Sequence, residues 1–265
     1  MKIKLHSHYN HFPEHVPEGD DKFIHCYNDS FVRDCEIEPN SIALLIEPRP
    51  LQPKIYEFIQ ENSDKFKIVF THDSILLNSI PNAMLIIWGG VWSWGNEQKD
   101  FDHPISMVAS WKEEAPVRIE RKHLAQELKD KIDCYGTFDG GKFVSTHDIY
   151  AKYPFSVVIE NYIDDYWITE KVCNCFANNT IPIYWGARKI DQLFDSRGMF
   201  IANSIEDVKL MVDYLLVNGK SEYMQRKDFI AENRKRVKTY ENFETWFFNQ
   251  YGEMLDEIID NNTVL

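Results

Sequence analysis

The chain has no C-x-x-C pair, no apolar run approaching 18 residues and no excess of basic charge. Each absence excludes something. Its five cysteines (Cys26, Cys35, Cys134, Cys173 and Cys175) are scattered and odd in number, which argues against a disulfide framework and for buried thiols in a reducing compartment. Without a long apolar run, no transmembrane helix is expected, and a soluble, cytoplasmic protein is. Twenty-nine Lys and Arg against 42 Asp and Glu leave a net charge of −13. A field of that sign repels phosphate backbones and disfavours nucleic-acid partners, while still allowing a local basic pocket for one nucleotide. Internal repeats and low-complexity segments are missing too. Gly140-Gly141-Lys142 lacks the glycine spacing and following Ser/Thr of a phosphate loop, so it reads as a turn.

What is there is enough to build a core: 44% hydrophobic and 14% aromatic residues over 265 positions. Short apolar runs alternate with helical stretches. Residues 2–5, 23–26, 41–46, 67–70 and 83–87 read as strands, and 54–66 as a helix. The loop after the first run carries His6, His8, His11 and His15, in no recognised zinc spacing, so it reads as a polar loop. Polar residues again follow strand ends: Glu47, Arg49, His72 and Asp73. The aromatic run 91–94 can stack on a sugar ring or simply pack. Near 96–104 the sequence turns polar, placing a domain boundary there. The expected division is 1–100, 101–240 and a C-terminal helix over 241–265 that crosses back to the first domain, with Trp246, Phe247, Phe248, Tyr251 and Leu255 as its docking face. Farther on, Ser204 with Asp207 resembles a capping box for a helix running to Leu216, and residues 234–238 read as a solvated basic face.

The stretch over 153–186 organises the rest. Phe155–Ile159 is a β-branched, apolar run typical of a buried parallel strand. Glu160 and Asn161 follow it. A helix is predicted from about Trp167, stopped by Asn178-Asn179, and Ile181–Trp185 gives another strand closed by Gly186. Polar groups at a strand's carboxyl end, facing a helix start, are where open α/β sheets bind ligands. Here those groups are Glu160, Asn161, Thr169, Glu170 and Lys171.

The pattern F-x(4)-E-N-x(7)-T-E-K-x(9)-I-P-I-Y-W-G resembles the donor-binding motif of the α-1,3-fucosyltransferase family. A second resemblance lies upstream, in residues 105–110, the Ala115-Pro-Val-Arg118 helix start and the strand 132–136. Together they cover roughly 105–205. The resemblance implies an α/β chain of two Rossmann-like domains facing across a cleft, the GT-B arrangement. It implies an inverting transfer of L-fucose from GDP-fucose to a glycan hydroxyl, with no cofactor required; a divalent metal is possible but not implied. Acceptor contacts would come from the first hundred residues, where the likeness is poorest. The family's animal members carry an anchor and stem, so this chain looks like a bacterial or viral cytoplasmic member.

By the same resemblance, Arg118 and Lys171 contact the diphosphate, Glu170 the sugar, and Asn161 the donor, with Glu160, Trp167 and Thr169 completing the donor site. Glu47 is the best-placed general base, although "IEPRP" lacks the family's usual glycine; pairing with Arg49 is its other reading, and Asp73 is the second choice of base. Tyr162 stands where the family has serine and Trp167 where it has tyrosine, which puts the sugar's identity in question. Two other readings stay open: an inverting transferase for another nucleotide sugar, and a non-catalytic nucleotide- or carbohydrate-binding protein.

Overall fold

The structure, a computed structural model, describes residues 2–19 and 21–261, and the side chains of all of these up to 259. The chain forms two compact units. One comprises residues 1–88 with 243–265, the other 89–242. Each is built on a five-stranded, all-parallel sheet. The expected α/β class with two parallel sheets and a helical C-terminal region is what the chain adopts.

In the first unit the elements run β1 (Lys2–His6), β2 (Phe23–Asn28), a short helical turn α1 (Phe31–Asp34), β3 (Ser41–Leu45), α2 (Pro53–Asn62), β4 (Ile68–Thr71), α3 (Ser74–Ser79) and β5 (Ala83–Leu85). The strands lie side by side in chain order. Every residue of β3 and β4 is buried, as parallel strands covered on both faces require. Alternation assigns the faces: Ala43, Leu45 and Val69 pack with Ile55, Tyr56, Ile59 and Phe66, while Phe70 meets Phe247 at 4.8 Å. Phe247 belongs to the last helix of the chain, Phe243–Asn261, which is part of this unit. That helix buries Phe247, Leu255 and Trp246. Its Glu244 accepts the Glu14 N–H at 2.9 Å and pairs with His15 at 2.8 Å.

The second unit runs β6 (Ile105–Val108), α4 (Pro116–Leu128), β7 (Asp133–Tyr135), α5 (Thr146–Tyr150), β8 (Phe155–Ile159), α6 (Glu170–Ala177), β9 (Ile181–Trp185), β10 (Phe200–Ile201) and α7 (Ile205–Arg236); the last helix above is α8. Its sheet order is β10-β9-β8-β6-β7. Chain order therefore reverses between β6 and β8. Loops diverge above such a switch point, and an open α/β sheet binds its ligand there. The first sheet has no such reversal.

Three expectations shift. The units divide at Trp88/Gly89 rather than near 100, because the 92–95 segment is tied to α6: the Trp92 and Ser93 N–H groups donate to Asn174 Oδ1 at 2.8 and 3.2 Å. The helix expected to end at Leu216 continues to Arg236 through Gly219, whose missing side chain leaves room for Phe155; a Cβ there would sit 3.1 Å from that ring. Arg234 is no solvated residue, since it donates to the carbonyls of Gly95 and Ala177. With Lys99, which donates to Asn178 O at 2.7 Å, it places positive charge at the carbonyl end of α6, where the helix dipole favours it. The Ser204 cap is present, with Asp207 N donating to Ser204 Oγ at 3.1 Å; Asp207 itself accepts from Asn203 N.

Candidate functional site

The site is assembled at the carboxyl end of β8. Glu160 follows the strand and is fully buried. A buried carboxylate must have its oxygens satisfied. Thr169 N donates to Oε1 at 3.0 Å and Thr169 Oγ1 to Oε2 at 2.8 Å, while Lys171 Nζ lies 3.3 Å from Oε2. Thr169 Oγ1 in turn accepts from Lys171 N (3.4 Å) and Nζ (2.8 Å). One hydroxyl thus donates once and accepts twice, its full capacity. This explains why α6 begins at Glu170 and not at Trp167: Thr169 is the capping residue, in extended backbone, and Glu160 holds it. Glu170 closes the group, 3.3 Å from Lys171.

Gly89 runs beside Thr169 in a single parallel bridge. Its φ of +57° and the 2.9 Å that would separate an added Cβ from Tyr240 both require glycine. The following residues bring Trp92, 68% exposed, to the same place.

From α4 come two arginines. Pro116 opens the helix at its first position, which suits a residue without an N–H. Arg118 lies in that first turn, pairs with Glu114 at 2.9 Å, and keeps its Nε buried without a hydrogen-bond partner among the described residues. Arg121, one turn on, was not expected from the sequence. It lies on the apolar stripe with Leu124, Ala125 and Leu128, and donates from Nη1 to the Ile159 carbonyl at 2.8 Å. Burial lowers its pKa from the usual arginine value, the Glu160 carboxylate opposes that, and Arg118 and Glu170 also act on it. Arg121 therefore lies within electrostatic reach of Arg118, Glu160 and Glu170, and Lys171 touches both carboxylates. A cavity of about 230 Å³ opens here, lined by Arg121, Glu170, Lys171 and Trp92 and by the ends of β6 and β7 (Val108, Ala109, Gly136, Thr137). It sits at the switch point of the sheet.

The other expected residues divide. Asn161 Oδ1 is buried without a partner among the described residues, leaving an acceptor for a hydroxyl or N–H. Trp167 is only 3% exposed, so its ring is packed in the interior. In the first unit, Glu47 is exposed; its N–H donates to Asp29 Oδ1 at 3.1 Å and its carbonyl accepts from Tyr56 at 2.7 Å. Arg49 forms a two-bond pair with Asp73 at 2.7 and 2.9 Å. Asp73 is fully buried and also caps α3 through Leu76 N, so its carboxylate is committed to structure. The histidines of the first loop take separate partners: His6 meets His25 at 3.0 Å, His11 meets Asn28, and His15 meets Glu244. Among the described residues, no group of three or more His, Cys, Asp or Glu is placed to hold a metal ion. Nor is any helix long and apolar enough to cross a membrane.

Comparison with known proteins places this geometry. An alpha-(1,3)-fucosyltransferase FucT of Helicobacter pylori is 24% identical over 123 residues, 44% of this chain. The chain spans only a quarter of that relative's length (25%). Among solved structures, an α1,3-fucosyltransferase with GDP superposes with a TM-score of 0.57 at 14% identity, covering 94% of this chain and 82% of that one. The pneumococcal O-GlcNAc transferase GtfA, in complex with UDP and GlcNAc, gives the same TM-score at 9% identity, covering 91% of this chain and 57% of that one. The two share a fold with this chain yet were solved with different nucleotides, so fold does not choose the nucleotide. The profile of Glycosyltransferase family 10 (fucosyltransferase), C-terminal part, matches residues 99–260, which is more than half of the chain and contains α4, β8 and α6. The chain is thus a member of glycosyltransferase family 10, the fucosyltransferase family.

Proposed function

We propose that the protein is an inverting fucosyltransferase that moves L-fucose from GDP-fucose to a hydroxyl of a glycan acceptor. The observation that carries this reading is the cation cluster at the switch point of the second sheet, inside the segment that matches the family. Departure of a nucleoside diphosphate needs fixed positive charge where the negative charge develops. Arg118 offers a planar fork and Lys171 a point charge, each at a helix start whose dipole has the same sign. Glu160 and Glu170 hold the Lys171 ammonium, which keeps it oriented. Glu170 is the carboxylate for the oxocarbenium-like sugar, and Asn161 the acceptor for a donor hydroxyl or N–H. Thr169 and Glu160 fix the start of α6, while Trp167 is packed in the interior.

Glu47 is the proposed general base. Whereas the Asp73 carboxylate pairs with Arg49 and caps α3, that of Glu47 has no such bond among the described residues, and it lies two residues after a fully buried strand. The match to the fucosyltransferase family, rather than the shared fold, supports guanosine diphosphate as the leaving group. The test is incubation with GDP-fucose and a panel of oligosaccharides, followed by mass spectrometry. Fucosylated product with release of GDP is expected. Nucleotide binding with neither transfer nor donor hydrolysis would establish a binding protein instead, and transfer only from a UDP-sugar would move the donor to another class.

A further inference from the structure

We propose that Arg121 is a further cation of the donor site, one that grips the pyrophosphate of the nucleoside diphosphate. The inference rests on the donor reading above and goes beyond the motif that motivates it. Arg121 is 93% buried (7% exposed), yet among the described residues no carboxylate lies within ion-pair distance of it; Glu160 and Glu170 act on it only from farther away. Its Nη1 is used on the Ile159 carbonyl at 2.8 Å, and its Nε has no hydrogen-bond partner among those residues. Burying a guanidinium with unmet donors is costly unless something anionic satisfies it. The side chain lines the same 230 Å³ cavity as Lys171 and Glu170, so an anion entering that cavity would meet it.

The neighbours narrow the ligand. The cavity also holds Glu170, whose carboxylate favours a ligand that carries hydroxyl groups beside its anionic part. Exposed Trp92 and Phe143 line it too, at 68% and 87% exposure, and offer faces to a ring. Apolar walls, an aromatic rim and a guanidinium at depth match a nucleotide better than inorganic phosphate. The bond to Ile159 does a second thing: it fixes the guanidinium at the end of β8, directly before Glu160. Little reorientation is then needed when the diphosphate arrives.

The experiment compares a charged and an uncharged ligand on the intact chain, GDP by calorimetry and guanosine by ligand-observed NMR. Arg121→Met should weaken GDP by about 10- to 100-fold, the loss of one charge-assisted contact, and leave guanosine unchanged. Should that variant fail to fold, Arg121→Lys keeps the charge and loses the fork. It should weaken GDP by roughly 3- to 10-fold, again with guanosine unchanged. GDP affinity within twofold of the parent in the folded variant overturns the proposal, as does an equal loss for both ligands, which would mean that Arg121 serves only the fold. A parent protein that binds no GDP at all overturns the donor reading itself, and this proposal with it.

Discussion

Replacing Glu160 by Gln tests how the donor site is held together. The substitution keeps the shape and removes one charge. In the parent, the buried carboxylate accepts from Thr169 N, Thr169 Oγ1 and Lys171 Nζ at 3.0, 2.8 and 3.3 Å. A glutamine oxygen can keep the Thr169 N–H bond. The amide NH₂ then faces a hydroxyl that already accepts twice and an ammonium that can only donate. Two charge-assisted bonds are lost and one contact becomes donor against donor. At about 1.5–3 kcal/mol for each such bond, two bonds give about 3–6 kcal/mol; the range for breaking a buried pair narrows the expected destabilisation to about 3–5 kcal/mol. For a chain of this size, each kcal/mol lowers Tm by roughly 2–4 °C, so calorimetric scanning should show a fall of about 6–20 °C. The effect should couple strongly to Thr169→Val in a double-mutant cycle, because both changes remove the same bond. A Tm within about 2 °C of the parent, or strictly additive effects, would refute the claim that Glu160 anchors α6.

Other outcomes follow from the same geometry. Arg118→Ala or Lys171→Ala should each lower kcat/KM for GDP-fucose by about 10²–10³, the usual loss of one transition-state contact, and parent-like turnover in either would remove it from the leaving-group role. Glu47→Gln should abolish transfer while GDP still binds in calorimetry; lost binding would show a different role. Asp29, which accepts the Ile46 and Glu47 N–H groups, has its pKa pushed up to about 7 by burial, against the pull of those two bonds. Because the folded pKa lies above the unfolded one, the folded state holds this proton longer. The stabilisation is complete below about pH 4 and is lost as pH rises through 7. Asp29→Asn should therefore raise Tm at pH 8, leave it near the parent value at pH 4, and flatten the profile between; an unchanged slope would mean that Asp29 ionises normally in the fold.

Much of this was legible from residue order. Fully buried parallel strands announce themselves as β-branched runs, so Phe155–Ile159, Ile181–Trp185 and the β3 run could be read directly. The start of α6 could not be: apolar spacing puts it near Trp167, whereas the Thr169 cap depends on Glu160, which the fold brings to it. What depended on tertiary contact was not. Residue order reads helical on both sides of Gly219 but gives no reason for a glycine inside one long helix; the reason is Phe155, far away in sequence. Arg234 looked like part of a solvated run, and only the folded chain brings it to the end of α6. Trp167 looked like a ligand-facing aromatic but lies in the interior. Arg121 did leave a signal, an arginine three residues after Arg118 on an apolar helical stripe. A charge on a buried face asks for a partner, and that partner is distant in the chain.

The central claim is that fixed cations in the second unit grip a diphosphate. Calorimetry of the parent protein with GDP and with GMP tests it most directly, because the two ligands differ only by the phosphate in question. Binding of GDP at least about tenfold tighter than GMP is predicted, the worth of one charge-assisted contact. Equal affinities would contradict it.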